Sequence, residues 1–352
     1  MNLYVLDKTF KAIAVIDQYK SLIWTDRYDQ PGDFELDLPA GAALFRYIQA
    51  DNYIWQNKSD HLMVIEDISI DTDVEDGNYI KVTGRSLESI LDRRIVWGQA
   101  NLKGALQAQL KLLFTANLIA PTDADRKIDN FLFEESSDET ITALTVDTQF
   151  TGEGLDEVTN VLCQSSGIGY QILLDEQKRF VFSLYSGADR SYNQTANPYV
   201  VFSPKFENII NSNYYYSKAA CKNVTLVAGE GEGSDRRTLS VGTASGLERR
   251  ELFTDARDIS STTQDGTLTT AEYNALLTAR GSEKLAENTA AVAFEGEVET
   301  TKLFQYGRDF YMGDIVQITN EYGIEGAARI VEIVMSDDES GFTIYPTFEM
   351  IA

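Results

Sequence analysis

Residues 21–39 read SLIWTDRYDQPGDFELDLP, and the reading of this stretch decides the fold. Leu22, Trp24 and Tyr28 share one parity in its first half. In the second half Phe34, Leu36 and Leu38 alternate with Asp33, Glu35 and Asp37, so each arm has one apolar and one polar face, the pattern of a half-buried strand. The break Gln30-Pro31-Gly32-Asp33 fits a type II turn, with proline setting the first central φ and glycine supplying a positive φ at the second. Strand, turn and strand make an antiparallel hairpin, and the chain is β-rich from its start.

Working outward, a short helix is predicted over 41–49 and strands over 53–56, 62–70 and 79–83, the last two joined across Asp76-Gly77-Asn78, a small meander or barrel. In VTGRSLESILDRRIVW, residues 82–97, a strand stops at Gly84 and Ser86 caps a helix that places Leu87, Ile90 and Leu91 on one face. Gly84 permits a tight corner, and Arg93 and Arg94 leave from the helix end, where the dipole favours cations.

The middle changes character. Leu102, Leu106, Leu110 and Leu113 space a helix running through Asn117, and 128–133 reads as a strand. A helix over 153–165 carries acidic residues in its first turn and stops at Gly167. Strands over 171–174 and 180–185 flank Asp175-Glu176-Gln177-Lys178 as a hairpin. Strands return over 209–216 and 222–228. Thr269 and Glu272 then form a capping box for a helix bearing Tyr273, Leu276, Leu277 and Leu285, an excursion at about 230–290. Residues 306–349 alternate again, broken at Tyr322-Gly323 and over 337–341. The expected class is β-rich α+β, with two β-barrel-like modules, 1–100 and 204–352, and an inserted α/β domain, 101–203.

At 352 residues the chain exceeds the usual size of one core. Its hydrophobic content of 43% places it among folded proteins, and its formal charge of −25 is spread along the whole length with no basic patch. Nucleic-acid binding needs clustered Lys and Arg to replace counterions, so no stable nucleic-acid partner is expected. The start MNLYVLDKTF has no basic n-region and meets Asp7 and Lys8 early, so a signal peptide is not expected, nor is membrane insertion. Cys163 in a helix and Cys221 in a strand read as two buried, reduced thiols.

Candidate chemistry is thin. Gly229, Gly231 and Gly233 follow a strand as a phosphate loop would, but Glu230 and Glu232 repel phosphate and 236–241 alternates like a strand, so a linker is expected. The run Asp71-Thr72-Asp73-Val74-Glu75-Asp76 has alternate carboxylates like the start of a calcium loop, yet Gly77 is one place late and Val82 stands where the bidentate glutamate belongs, which leaves an acidic hairpin end. His61, the one histidine of the chain, makes no zinc cluster and reads as a surface or turn residue, its replacement by alanine functionally silent. No G-x-S-x-G elbow is present, and the 55 acidic residues are too many to single out a glycosidase pair. Catalytic, cofactor and metal residues are therefore all expected to be none.

The wording of three stretches resembles phage tail-tip and baseplate hub proteins. In the first hairpin Trp24, Tyr28, Pro31, Gly32, Phe34 and Leu36 carry the match; after the first sheet Gly84, Arg85, Ser86, Leu87, Leu91, Arg93 and Arg94 do; near the end, in DFYMGDIVQITNEYGIEGAARIVEIV, Gly313, Asp314, Ile315, Val316, Arg329, Ile330, Glu332 and Ile333 do. The resemblance implies a virion protein of the tail tip, assembled in the host cytoplasm. It implies a homotrimer under the hexameric tail tube, two barrel-like modules per chain giving a pseudo-sixfold ring. Its implied partners are a distal tail or tail-tube hexamer, a tape-measure protein, and tail fibre or spike proteins, with DNA passing through the lumen. Relatives carry enzymatic or receptor-binding segments after the terminal barrel; here such an activity is expected on another polypeptide. The alternatives are a tail-tip enzyme or carbohydrate-binding protein acting on the host envelope, and a cytosolic β-rich protein unrelated to phage.

Overall fold

The computed structural model describes residues 2–41, 44–73, 77–263, 266–298 and 303–351. Seven strands come first: β1 Leu3–Leu6, β2 Ala12–Ile16, β3 Ser21–Arg27, β4 Asp33–Pro39, β5 Tyr53–Gln56, β6 Leu62–Asp73 and β7 Gly77–Ser86. The middle contributes β8 Gln99–Ala105, α1 Leu106–Phe114, β9 Phe131–Glu134, α2 Glu139–Thr142, β10 Thr145–Thr151, α3 Leu155–Ser166, β11 Gly169–Leu174 and β12 Phe180–Tyr185. Then follow β13 Val201–Phe202, β14 Ile209–Ser217, β15 Val224–Ala228, β16 Thr238–Val241, β17 Glu251–Asp255, β18 Thr262–Thr263, β19 Gly266–Thr267 and α4 Thr270–Ala286. The chain closes with β20 Ala291–Val298, β21 Ile315–Thr319, β22 Glu325–Asp338 and β23 Gly341–Met350. The class is β-rich α+β, as expected.

Strands from both ends of the chain share one sheet, ordered β14-β20-β23-β22-β3-β4-β7-β6-β5-β1-β2, with β13 and β21 branching from β22. The branch is possible because β22 is long. Its first residues, Glu325–Arg329, pair with β21, and past a bulge between Ile330 and Glu332 the remainder pairs with β3 from Glu332↔Arg27 to Asp338↔Ser21. The first hairpin is thus laid along the terminal strands, and this seam joins the two halves. The pairing path ends on β14 and β2, so the described strands close no barrel. One core, with Trp24, Phe34 and Leu36 beside Ile330, Ile333 and Phe348, runs through the seam.

The middle segment packs around α1 and α3, but its core also takes Leu62, Val64, Leu87 and Leu91 from the N-terminal strands. A third, small core of Val227, Ala256, Ile259, Tyr273 and Leu277 lies between α4 and the β16-β15-β17 sheet. The Thr269–Glu272 capping box and the Gly167 stop, in the left-handed region at φ 66°, are both as expected.

Several expectations are corrected. The hairpin turn is not type II, because Gly32 has no positive φ. Pairing of β3 with β4 ends at Thr25↔Asp33, and beyond it the Tyr28 N–H turns to the Val331 carbonyl on β22. The predicted helices over 41–49 and after Ser86 are 3-10 segments, Leu44–Arg46 and Leu87–Arg93. The helix expected from Leu102 begins at Leu106, since 99–105 pairs with β10 instead. Cys221 precedes β15 and is only half-buried, whereas Cys163 is buried in α3; both are free. Of the acidic run over 71–76, positions 74–76 lie outside the described residues.

Candidate functional site

Some of the residues picked out in the three stretches meet at the seam; others do not, Leu91 packing in the core of the middle segment, Arg93 pairing with Asp51 at 3.3 Å and Arg94 donating to the Arg126 carbonyl at 2.7 Å. Tyr28 is 1% exposed and acts as a wedge. Its hydroxyl donates to the Gly167 carbonyl at 3.3 Å and accepts from Arg329 Nη1 at 3.3 Å, and the Arg329 guanidinium lies 5.2 Å from the ring centroid. Tyr185 meets the ring edge-on at 5.2 Å. Any side chain at 169 or 313 would put its Cβ within 2.5 Å of the Tyr28 ring, which explains why both positions are glycine. One aromatic ring therefore touches the N-terminal strands, the middle segment and the terminal strands at once.

Asp314 is the clamp beside the wedge. At 2% exposure its carboxylate accepts from the Ala188 N–H at 2.7 Å, from Arg190 Nε at 2.6 Å and from the Tyr311 N–H at 3.0 Å. The Ile315 N–H donates back to the Ala188 carbonyl at 3.0 Å, so the Gly313-Asp314-Ile315 run holds the chain as it leaves the middle segment. Glu332 works across the β22–β3 pair, accepting from Arg27 Nε at 2.8 Å and from Thr347 Oγ1 at 3.1 Å. Arg27 also pairs with Asp33 at 2.6 Å and donates to the Pro31 carbonyl at 3.0 Å, fastening the turn to the seam.

The second group meets the first through the backbone. The Gly32 N–H donates to Ser86 Oγ at 2.7 Å and the Ser86 N–H to the Gly32 carbonyl at 2.9 Å, so Ser86 holds the hairpin turn and does not cap the segment after it. A Cβ on Gly32 would lie 2.2 Å from the Thr25 carbonyl oxygen, and one on Gly84 would lie 1.8 Å from that of Val64, where β6 bulges between Ile65 and Asp67. Close backbone approach is the reason for glycine at both. Arg85 forks onto Glu66 at 2.9 and 2.8 Å and reaches Asp92 at 3.0 Å. Leu87 turns away into the core of the middle segment.

His61 is not the surface residue expected. Its side chain is 16% exposed, with Nδ1 3.3 Å from Glu88 Oε1. Burial favours the neutral ring, but Asp26 and Glu88 outweigh it and push the imidazole up to about 9, so His61 is an imidazolium at neutral pH. Asp26, 4% exposed, accepts from Trp24 Nε1 at 3.1 Å and from Ser59 Oγ at 2.9 Å. Burial drives its carboxyl up against the pull of His61. Glu88 Oε1 also accepts from the Ile172 N–H at 2.7 Å; burial opposes its charge, yet His61 and these hydrogen bonds hold the carboxyl below its ordinary range. Asp26 was missed in the sequence; it shares the even parity of Leu22, Trp24 and Tyr28, and the one signal that could have found it is a carboxylate on the apolar face of a strand. Glu88 and Arg190 carried no such mark.

Among the described residues no three His, Cys, Asp or Glu side chains are placed to hold a metal, and no helix is long and apolar enough to cross a membrane. What the seam does is mechanical: it fixes three parts of the chain to one another by buried ion pairs and backbone contacts.

Three solved structures share the fold. The prophage MuSo2 43 kDa tail protein from Shewanella oneidensis is 14% identical with a TM-score of 0.60, covering 99% of this chain and 98% of that one. Prophage tail protein gp18 from Listeria monocytogenes EGD-e is 11% identical with a TM-score of 0.55, covering 99% and 94%. A tail protein from Neisseria meningitidis MC58 is 9% identical, also with a TM-score of 0.55, covering 99% and 95%. No curated protein matches the sequence. The family model for Siphovirus ReqiPepy6 Gp37-like protein matches residues 2–348, and the chain belongs to that family of phage tail proteins, in line with the tail-hub resemblance of its terminal motifs.

Proposed function

We propose that this tail protein is the structural hub of a phage tail tip or baseplate, three copies of which form a pseudo-sixfold ring that closes the tail tube and connects it to the distal tip. The observation that carries the reading is the seam. On one side of it stand β4, β7, β6, β5, β1 and β2, and on the other β22, β23, β20 and β14, held in one sheet by β3 against β22. A chain with two antiparallel strand sets offers two docking surfaces, and three such chains offer six to a hexameric tube under a closed threefold symmetry. In the ring the sets become the barrel-like modules, 1–100 and 204–352, with 101–203 below or outside. The motif residues from Trp24 to Glu332 then set the angle between the modules and are not catalytic.

The partners are two further copies, the distal tail or tail-tube hexamer, a tape-measure protein, and fibre or spike proteins, in the virion tail tip after assembly in the host cytoplasm. The charge of −25 suits a lumen through which DNA slides without adhering. Co-expression with the tube protein and native mass spectrometry of the complex test this reading. Three copies of this chain per six tube subunits are expected; six copies, or none bound, would overturn it.

A further inference from the structure

A cleft of about 550 Å³ opens beside the seam, within the range of roughly 300–1,000 Å³ typical of small-molecule sites. Four stretches distant in sequence line it: Asp26, 58–61, 171–190 and 306–314. Its lining takes in buried Asp26, half-buried His61, Tyr185 and Tyr306, and exposed Asp60 and Tyr311, the last at 48%. Asp26, His61 and Glu88 together bring three ionisable groups out of water under this opening. Apolar residues of the same volume would stabilise the fold at least as well, and ionisable groups buried beneath a cleft are a mark of ligand sites.

The chemistry of the lining narrows the ligand. Two of its cations are paired with carboxylates, Arg190 Nε 2.6 Å from Asp314 and His61 3.3 Å from Glu88 with Asp26 behind it, while exposed Lys58 lies 3.7 Å from the centroid of the Phe342 ring and keeps its charge. The lining's three cations, Lys58, His61 and Arg190, are matched in number by Asp26, Asp60 and Asp314, so no net positive charge favours a phosphate or carboxylate ligand. The buried carboxylates are engaged too, Asp26 by Trp24 and Ser59 and Asp314 by three donors, which leaves no ligand set for a metal ion. What is open to a guest is a set of phenol rings together with the exposed side chains of Asp60 and Lys58. Rings with a polar edge match a molecule that has an apolar C–H face and a rim of hydroxyls.

We propose that this cleft binds a neutral saccharide, with the rings of Tyr306 and Tyr311 against the sugar's C–H face and Asp60 accepting its hydroxyls. The site lies within one chain and does not depend on the ring proposed above. Chitotriose, cellotriose and maltotriose serve as probes in saturation-transfer NMR and calorimetric titration with the full chain. Saturable binding of at least one is expected. Tyr311→Ala should weaken it about tenfold, the size of one aromatic contact, and Asp60→Asn about threefold. Both residues are exposed, and an unchanged thermal melt establishes that each variant is folded. Binding of none of the three sugars by the wild type, or binding that neither variant moves, would overturn the proposal.

Discussion

Around β3 and β22 three parts of the chain are tied together by buried carboxylates and a buried aromatic ring, whereas the excursion of β15, β16, β17 and α4 is a small sheet and one helix around a core of its own. Both have glycines whose Cβ would strike backbone, Gly32 against the Thr25 carbonyl and Gly242 against that of Asn223, but the seam adds Asp26 and Asp314, carboxylates at 4% and 2% exposure that accept hydrogen bonds from distant segments, Ser59 for the first and Ala188 and Arg190 for the second, as well as from their own. The excursion rests on five buried residues, and its ion pairs, such as Arg249 with Glu251 and Arg257 with Asp255, are local and solvent-facing, worth at most about 1 kcal/mol each. Its deep ties meet at Gln149 of β10: Arg280, 7% exposed, reaches Asp258 at 2.8 Å and the Gln149 carbonyl at 2.9 Å, and the Ser260 N–H donates to Gln149 Oε1 at 2.8 Å. The difference teaches where the fold is specified. At the seam a substitution moves three parts of the chain; in the excursion it is absorbed where it falls.

The largest effect is expected for Gly84→Val, whose Cβ would sit 1.8 Å from the Val64 carbonyl oxygen and force apart β6 and β7. No folded, soluble protein should result. Its counterpart in the excursion is Gly246→Ala, at φ 58° with nothing within 4 Å, which should cost about 1 kcal/mol through backbone strain alone. Thermal melts of the two break the comparison if their costs are alike.

Next is His61→Gln, expected to cost about 3–5 kcal/mol because it leaves Asp26 and Glu88 buried without their cation. The same residue sets a pH dependence. An imidazole raised from 6.5 to about 9 contributes stability that is whole below pH 6.5 and is lost as pH rises through 9, on the order of 3 kcal/mol. Asp26, also raised, acts in the same sense at lower pH, while Glu88, held down, stabilises above its ordinary range and loses that contribution in acid. Urea unfolding between pH 6.5 and 9 should show falling stability in the wild type and a flatter profile in His61→Gln; equal slopes would mean that His61 is not held charged by its neighbours.

The smallest is Thr269→Ala, which removes the hydroxyl that accepts from the Glu272 N–H and leaves the 269 N–H on the Glu272 carboxylate, so that the capping box opening α4 is half lost at a cost of about 1 kcal/mol. Hydrogen exchange localises the loss: faster exchange confined to the excursion is expected, and faster exchange reaching β3 and β22 would show that the two regions are coupled.

The contrast also explains what could be read in the sequence. Period-2 alternation made the first hairpin, the β11–β12 hairpin and the terminal strands legible, because each has one wet face. The capping box and Gly167 made α4 and α3 legible at their ends. The pairing of β3 with β22 was not legible, since nothing in either strand says which distant edge it will meet. Gly32 was recognised as special for the wrong reason: proline before glycine suggested a turn, while its neighbour in space, the Thr25 carbonyl, decides the residue. His61 was misread because its partners, Asp26 and Glu88, lie 35 and 27 residues away in sequence and are brought together only by the sheet.

The central claim is that the two strand sets joined at the seam are equivalent docking surfaces of a trimeric hub. An electron cryomicroscopy reconstruction of the tail tip tests it most directly. The expected map has three copies around a threefold axis, with the set before residue 100 and the set after residue 204 alternating beneath six tube subunits and superposing on each other. A ring of six identical chains, or two sets that do not superpose, would contradict it.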